Sequence, residues 1–127
     1  MRLVLIRHAE AASGEPDELR ALTSEGHEQA KRLGDKLRGD GLWPDAVLSS
    51  PLLRARETAS SLGFGAAEPH DALAPGATVE DVRAAVEGRG DTVIVIGHQP
   101  DCSEIASALG AGPEPKFPPA GVHVLEL

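Results

Sequence analysis

Two kinds of apolar pattern divide this chain. Leu3-Val4-Leu5-Ile6 and Val93-Ile94-Val95-Ile96 are unbroken runs of branched residues, which read as strands buried on both faces. Ala46-Val47-Leu48 is a shorter run of the same kind, and residues 121–127 read as a final strand. Between these, apolar residues recur at helical spacing. Ala30, Leu33 and Leu37 share one face, and Val79, Val82, Ala85 and Val86 share another. Thr23 or Ser24 caps the first helix, which stops near Gly39–Gly41. Gly26 in its first turn marks a close backbone contact. Ser49-Ser50-Pro51 turns into a second helix that ends near Gly63, with Pro51 suited to its first position. Thr78 caps the third helix, and residues 101–109 form a fourth. Residues 9–22, rich in Glu, Asp, Gly and Pro, read as loop. So does most of 64–78, with Ala66–Glu68 a short edge strand.

Strand and helix alternate throughout. The expected fold class is therefore α/β: a three-layer α/β/α sandwich around a mostly parallel sheet. A length of 127 residues predicts one domain, residues 1–127. In such a sheet ligands bind at the carboxyl ends of the strands. The first strand ends in Arg7-His8, and the strand at 92–96 runs into Gly97-His98. The strand at 46–48 leads into a helix that carries Arg54. Two imidazoles and two guanidiniums are thus expected on one rim.

Charge sharpens the picture. The formal net charge is −8, which disfavours nucleic acid, whose binding needs a basic face. An anionic substrate must then be drawn in by locally clustered Arg and His. Two Phe and one Trp leave no aromatic stacking platform. The single Cys102 excludes an internal disulfide and a paired-Cys metal motif, and fits a reducing, cytoplasmic setting. The first residues carry no signal-peptide pattern, and no apolar stretch reaches membrane-spanning length.

Guanidinium forks suit a tetrahedral oxyanion, because they donate bidentately to phosphate oxygens. A histidine at a strand end can act as nucleophile when one ring nitrogen is held as a donor and the other is left free. A second histidine can stabilise the equatorial oxygens. These residues describe metal-free phosphoryl transfer to a histidine. A zinc reading would use His8, His98 and either His70 or His123, but it lacks HExxH or clustered Cys/His spacing. His27 reads as a surface or packing residue.

Four segments, in order, resemble the histidine phosphatase (phosphoglycerate-mutase-like) superfamily. Leu5-Ile6-Arg7-His8-Ala9-Glu10-Ala11 is similar to its RHG signature, with Ala9 in place of Gly. Leu22-Thr23-Ser24-Glu25-Gly26-His27-Glu28-Gln29-Ala30 is similar to its LTxxGxxQA helix start. Ser49-Ser50-Pro51-Leu52-Leu53-Arg54-Ala55-Arg56-Glu57-Thr58-Ala59 resembles SPLxRAxQTA, and Val95-Ile96-Gly97-His98-Gln99-Pro100 the second-histidine motif. The short length, Gly-His-Gln-Pro and Leu73-Ala74-Pro75-Gly76 look most like the SixA-type phosphohistidine phosphatases. The resemblance implies that His8 accepts the phosphoryl group and that Arg7, Arg54 and His98 complete the phosphate pocket. It implies no metal and no cofactor.

Two departures refine the expected substrate. Larger members of the superfamily carry a carboxylic acid that protonates the leaving group. Here Asp71 and Glu10 are the candidates, and each also reads as an ordinary loop residue. Little chain lies between Gly63 and Thr78 to build a lid. Both features favour phosphohistidine on proteins, since an imidazole leaves more readily than an alkoxide and an open pocket admits a folded partner. The alternatives are a broad phosphomonoesterase for sugar or nucleotide phosphates, and a non-catalytic phosphate-binding module. Against the last, Arg7, His8, Arg54 and His98 are all present.

Overall fold

The computed structural model describes all 127 residues. Five strands form one sheet: β1 (Arg2–Arg7), β2 (Ala46–Ser49), β3 (Glu68–Pro69), β4 (Thr92–Gly97) and β5 (Val122–Glu126). Their order is β3-β2-β4-β1-β5. Neighbours among β1 to β4 run parallel, and β5 returns antiparallel beside β1. This is the α/β fold that the alternating pattern predicts.

Helices α1 (Ser24–Gly39) and α2 (Leu53–Leu62) cover one face; α3 (Val79–Val86) and α4 (Asp101–Ala106) cover the other. Strand geometry explains why the central runs are apolar without a break. Successive side chains point to opposite faces, so Val4, Ile6, Ile94 and Ile96 meet Leu33, Leu37, Ala59 and Leu62. Leu3, Leu5, Val93 and Val95 meet Val82, Val86, Cys102 and Ile105. Fully burying each such aliphatic side chain contributes about 1.5–3 kcal/mol. A polar residue at any of these positions would face a core rather than water.

The register of the two central strands decides where the chemistry sits. Arg7 pairs with Gly97, so His8 and His98 are the next residues out on neighbouring parallel strands. Thr23 caps α1 by accepting the Gly26 N–H at 2.9 Å. A Cβ at Gly26 would overlap the Glu10 carbonyl oxygen, so the close contact expected there is with the segment just beyond His8. Thr78 and Asp81 form a reciprocal capping box on α3.

Some boundaries differ from the pattern. Helix α2 begins at Leu53 with Leu52 as cap, leaving Pro51 outside it. The Leu52 N–H donates to Ser50 Oγ (3.2 Å), which sustains a turn before the helix can start. The edge strand is Glu68–Pro69, displaced from Ala66–Glu68, because its register is set by pairing with Leu48 and Ser49. Beyond Ala106 the fourth helix widens into a π turn and ends at Gly110, where φ is 98°. The segment 9–22 is built rather than loose. It contains a 3-10 turn at Asp17–Leu19 and a bridge between Ala11 and Leu22.

Candidate active site

His8 leaves the sheet held through both its backbone and its ring. Its backbone N–H donates to Gly97 O at 3.0 Å, which locks it to the end of β4. Its ring Nδ1 lies 2.7 Å from Ala9 O. A carbonyl only accepts, so Nδ1 carries the proton and Nε2 keeps a free lone pair. The His98 ring stands 5.2 Å away, centroid to centroid, tilted by 59°. His98 Nε2 lies 2.7 Å from Ser50 Oγ at the end of β2, and both residues are buried.

Ala9 stands where the superfamily signature has Gly. It is fully buried with Leu22 and Ala30, so the extra methyl fills space between β1 and α1. Its N–H donates to Thr58 Oγ1 (3.0 Å), which donates in turn to Arg54 O (2.7 Å). The end of β1 is thereby fastened to α2, the helix that carries Arg54 in its first turn.

The two guanidiniums are held by other groups. Arg7 Nη1 donates to Phe117 O (3.1 Å), while its Nε is buried with no partner. A buried unmet donor beside His8 is what an incoming oxyanion would satisfy. Arg54 is only 8% exposed. Its Nη1 donates to Asp17 O (2.9 Å) and its Nη2 to Asp17 Oδ2 (3.2 Å). Asp17 also accepts from Arg20 Nη1 at 3.1 Å.

Burial is the main force on both imidazoles. It pushes His8 below the usual 6.5, with Arg54, Arg7 and Arg20 adding repulsion and the Ala9 carbonyl opposing. It pushes His98 down to about 4, helped by His8 and Arg54 and opposed by Asp17. At neutral pH both rings are therefore uncharged in the free protein, a state in which His8 can offer a lone pair and His98 can act as a neutral donor. An unfolded chain would take up these protons near pH 6.5. The stability they confer is complete above that value and is lost as pH falls towards 4. A ring-nitrogen NMR titration is expected to place His8 below 6.5 and His98 lower still; a midpoint above 6.5 for either contradicts this.

The remaining candidates lie elsewhere or do other work. Glu10 is exposed and accepts from Thr23 Oγ1 (3.2 Å). Asp71 is exposed in a 3-10 turn after β3. Neither carboxylate bonds to Arg7, His8, Arg54 or His98; the carboxylate that does is Asp17. His27 bonds Ser61, His123 bonds Lys116 O, and His70 lies beside Glu68 and Arg89. No three His, Cys, Asp or Glu side chains gather as a cation's ligand set. Cys102 is buried, with its thiol pushed up to about 12, which keeps it protonated and unreactive. Sequence reading missed the parts played by Asp17, Ser50 and Thr58. Ser50 and Thr58 lie inside a quoted motif. Asp17 is one of several acids in the 9–22 segment, and its nearness to Arg54 depends on how that segment folds back.

A family model of the histidine phosphatase superfamily (branch 1) matches residues 3–74. The chain belongs to this superfamily. An uncharacterized protein of Picosynechococcus sp. is 35% identical over 126 residues, covering 88% of this chain and 74% of its own length. Among solved structures, the protein histidine phosphatase SixA complexed with tungstate superposes with a TM-score of 0.90 at 27% identity. That match covers 100% of this chain and 88% of the other. A protein of Nakamurella multipartitia assigned as a phosphohistidine phosphatase SixA gives a TM-score of 0.81 at 31% identity, covering 97% and 82%. The sheet order and the four helices are thus those of a phosphoglycerate mutase-like fold. No helix is long and apolar enough to cross a membrane.

Proposed function

We propose that this phosphatase removes phosphoryl groups from phosphohistidine on proteins, passing each one through His8 without a metal or cofactor. The observation that carries the reading is the His8 ring: Nδ1 tied to Ala9 O at 2.7 Å and Nε2 left free beside His98. In the first step the Nε2 lone pair bonds to phosphorus as the bond from phosphorus to the leaving group breaks. In the second, water attacks phosphorus, His8 departs and orthophosphate is released. Throughout, Ala9 O holds the Nδ1 proton and so stabilises the charge that develops on the ring. Arg7, Arg54 and His98 meet the three equatorial oxygens, where the transition state concentrates negative charge.

Protein phosphohistidine is favoured over small esters on two grounds. Neither Asp71 nor Glu10 is anchored in the pocket, so an alkoxide would depart unprotonated; a positioned acid contributes roughly 10²–10⁴-fold. The chain between α2 and α3 is taken up by β3, a 3-10 turn and the cap of α3, which leaves no helix there to enclose a small metabolite. The SixA likeness supports the same substrate class. The test compares one enzyme preparation on a phosphohistidine-bearing carrier protein, a nucleotide monophosphate and a sugar phosphate at matched pH. The carrier is expected to give the highest kcat/KM. A metabolite that wins by about tenfold or more would replace this reading with that of a small-molecule phosphomonoesterase.

A further inference from the structure

The side chain at the site that phosphoryl transfer leaves unexplained is Asp17. A cationic pocket built for a dianion has no evident use for a carboxylate. Yet Asp17 binds Arg54 through both its backbone and its side-chain oxygen, at 2.9 and 3.2 Å. The two partners differ in position. Arg54 is 8% exposed, whereas the Asp17 side chain is 56% exposed. Asp17 therefore covers Arg54 on its solvent side, and a phosphohistidine on a folded partner must approach from solvent. Arg20 and Arg54 hold its carboxyl below the usual carboxylate range, so it is an anion at working pH and a poor proton donor. It is placed as an acceptor, not as an acid.

We infer that Asp17 is a specificity-determining residue: its carboxylate accepts the ring N–H of a phosphohistidine leaving group and so favours a phosphoramidate over a phosphate ester. The inference rests on the transfer to His8 proposed above. A phosphohistidine leaves readily only when its second ring nitrogen is protonated. The His8 Nε2 lone pair then forms the new N–P bond. The old N–P bond breaks, its electron pair stays on the departing nitrogen, and a neutral imidazole leaves with no proton transfer. The two rings exchange roles, each keeping its proton on the nitrogen away from phosphorus. Ala9 O steadies that proton on His8, and Asp17 steadies it on the substrate. Asp17 already accepts one N–H on each oxygen, from Arg20 and from Arg54; a carboxylate has about four acceptor sites, so capacity remains. An ester offers no such N–H, and its oxyanion leaving group would be repelled by the same charge.

The test measures kcat/KM of wild type and Asp17→Asn on two substrates, a phosphohistidine carrier protein and p-nitrophenyl phosphate. The amide keeps an oxygen for Arg54 and removes the charge. Loss of a charge-assisted hydrogen bond predicts that kcat/KM on phosphohistidine falls by roughly tenfold or more relative to that on the aryl ester. An equal fall on both substrates would make Asp17 merely a clamp on Arg54 and overturn the inference, as would no change on either. Wild type that turns over the ester but not phosphohistidine would overturn the substrate reading itself, and this inference with it.

Discussion

His8→Ala is expected to cost about four orders of magnitude or more in kcat, because the variant has no atom to accept the phosphoryl group. The loss should be catalytic rather than structural. His8 lies one residue beyond the β1–β4 register, and its ring bonds only the neighbouring Ala9 carbonyl. The backbone N–H that joins it to Gly97 O survives in any residue. Far-UV circular dichroism and the thermal midpoint should therefore stay close to wild type. A His8→Ala protein with near-normal turnover would remove the covalent route.

Arg54→Ala is the next largest expected effect, with kcat down by roughly 10²–10³-fold, the usual cost of deleting one preorganised oxyanion donor. The fold should tolerate it, since Arg54, Arg7 and Arg20 all act on His8 as cations and removing one relieves like-charge repulsion at the site. Loss of the guanidinium also frees Asp17, so the 9–22 segment should exchange its amide protons faster. Arg54→Lys should recover only part of the rate, because a point charge replaces a planar fork. Full recovery by Lys would show that charge alone, without bidentate geometry, suffices.

The contrast between these residues shows what could be read from the chain. His8 and His98 were legible because each follows a doubly buried strand, and parallel neighbours end on the same rim. A cap at Thr23 or Ser24 and a tight contact at Gly26 were legible because local chemistry dictates both, and the structure selects Thr23. Asp17 was not. It bonds Arg54 across 37 positions, and nothing in its immediate neighbours distinguishes it from Glu15 or Glu18. Ser50 likewise meets His98 across 48 positions. Such contacts depend on how loops settle over a finished sheet, which periodicity does not encode. The same limit explains the helix boundaries. Pro51 favours a first helical position in isolation, but the turn closed on Ser50 Oγ delays α2 to Leu53. Asp71 is a candidate acid because its segment is comparable to the one that carries the acid in larger superfamily members, and Glu10 because its loop borders the rim; neither is bonded into the pocket.

Transfer through His8 can be caught directly. Enzyme mixed with a carrier protein labelled at phosphohistidine, quenched in alkali within one turnover and digested, should yield a peptide of this chain that contains His8 and carries the phosphate on it. That adduct should resist alkali and fall apart in acid. Its absence from an enzyme that is turning over, or phosphate found on any other residue, would contradict the account.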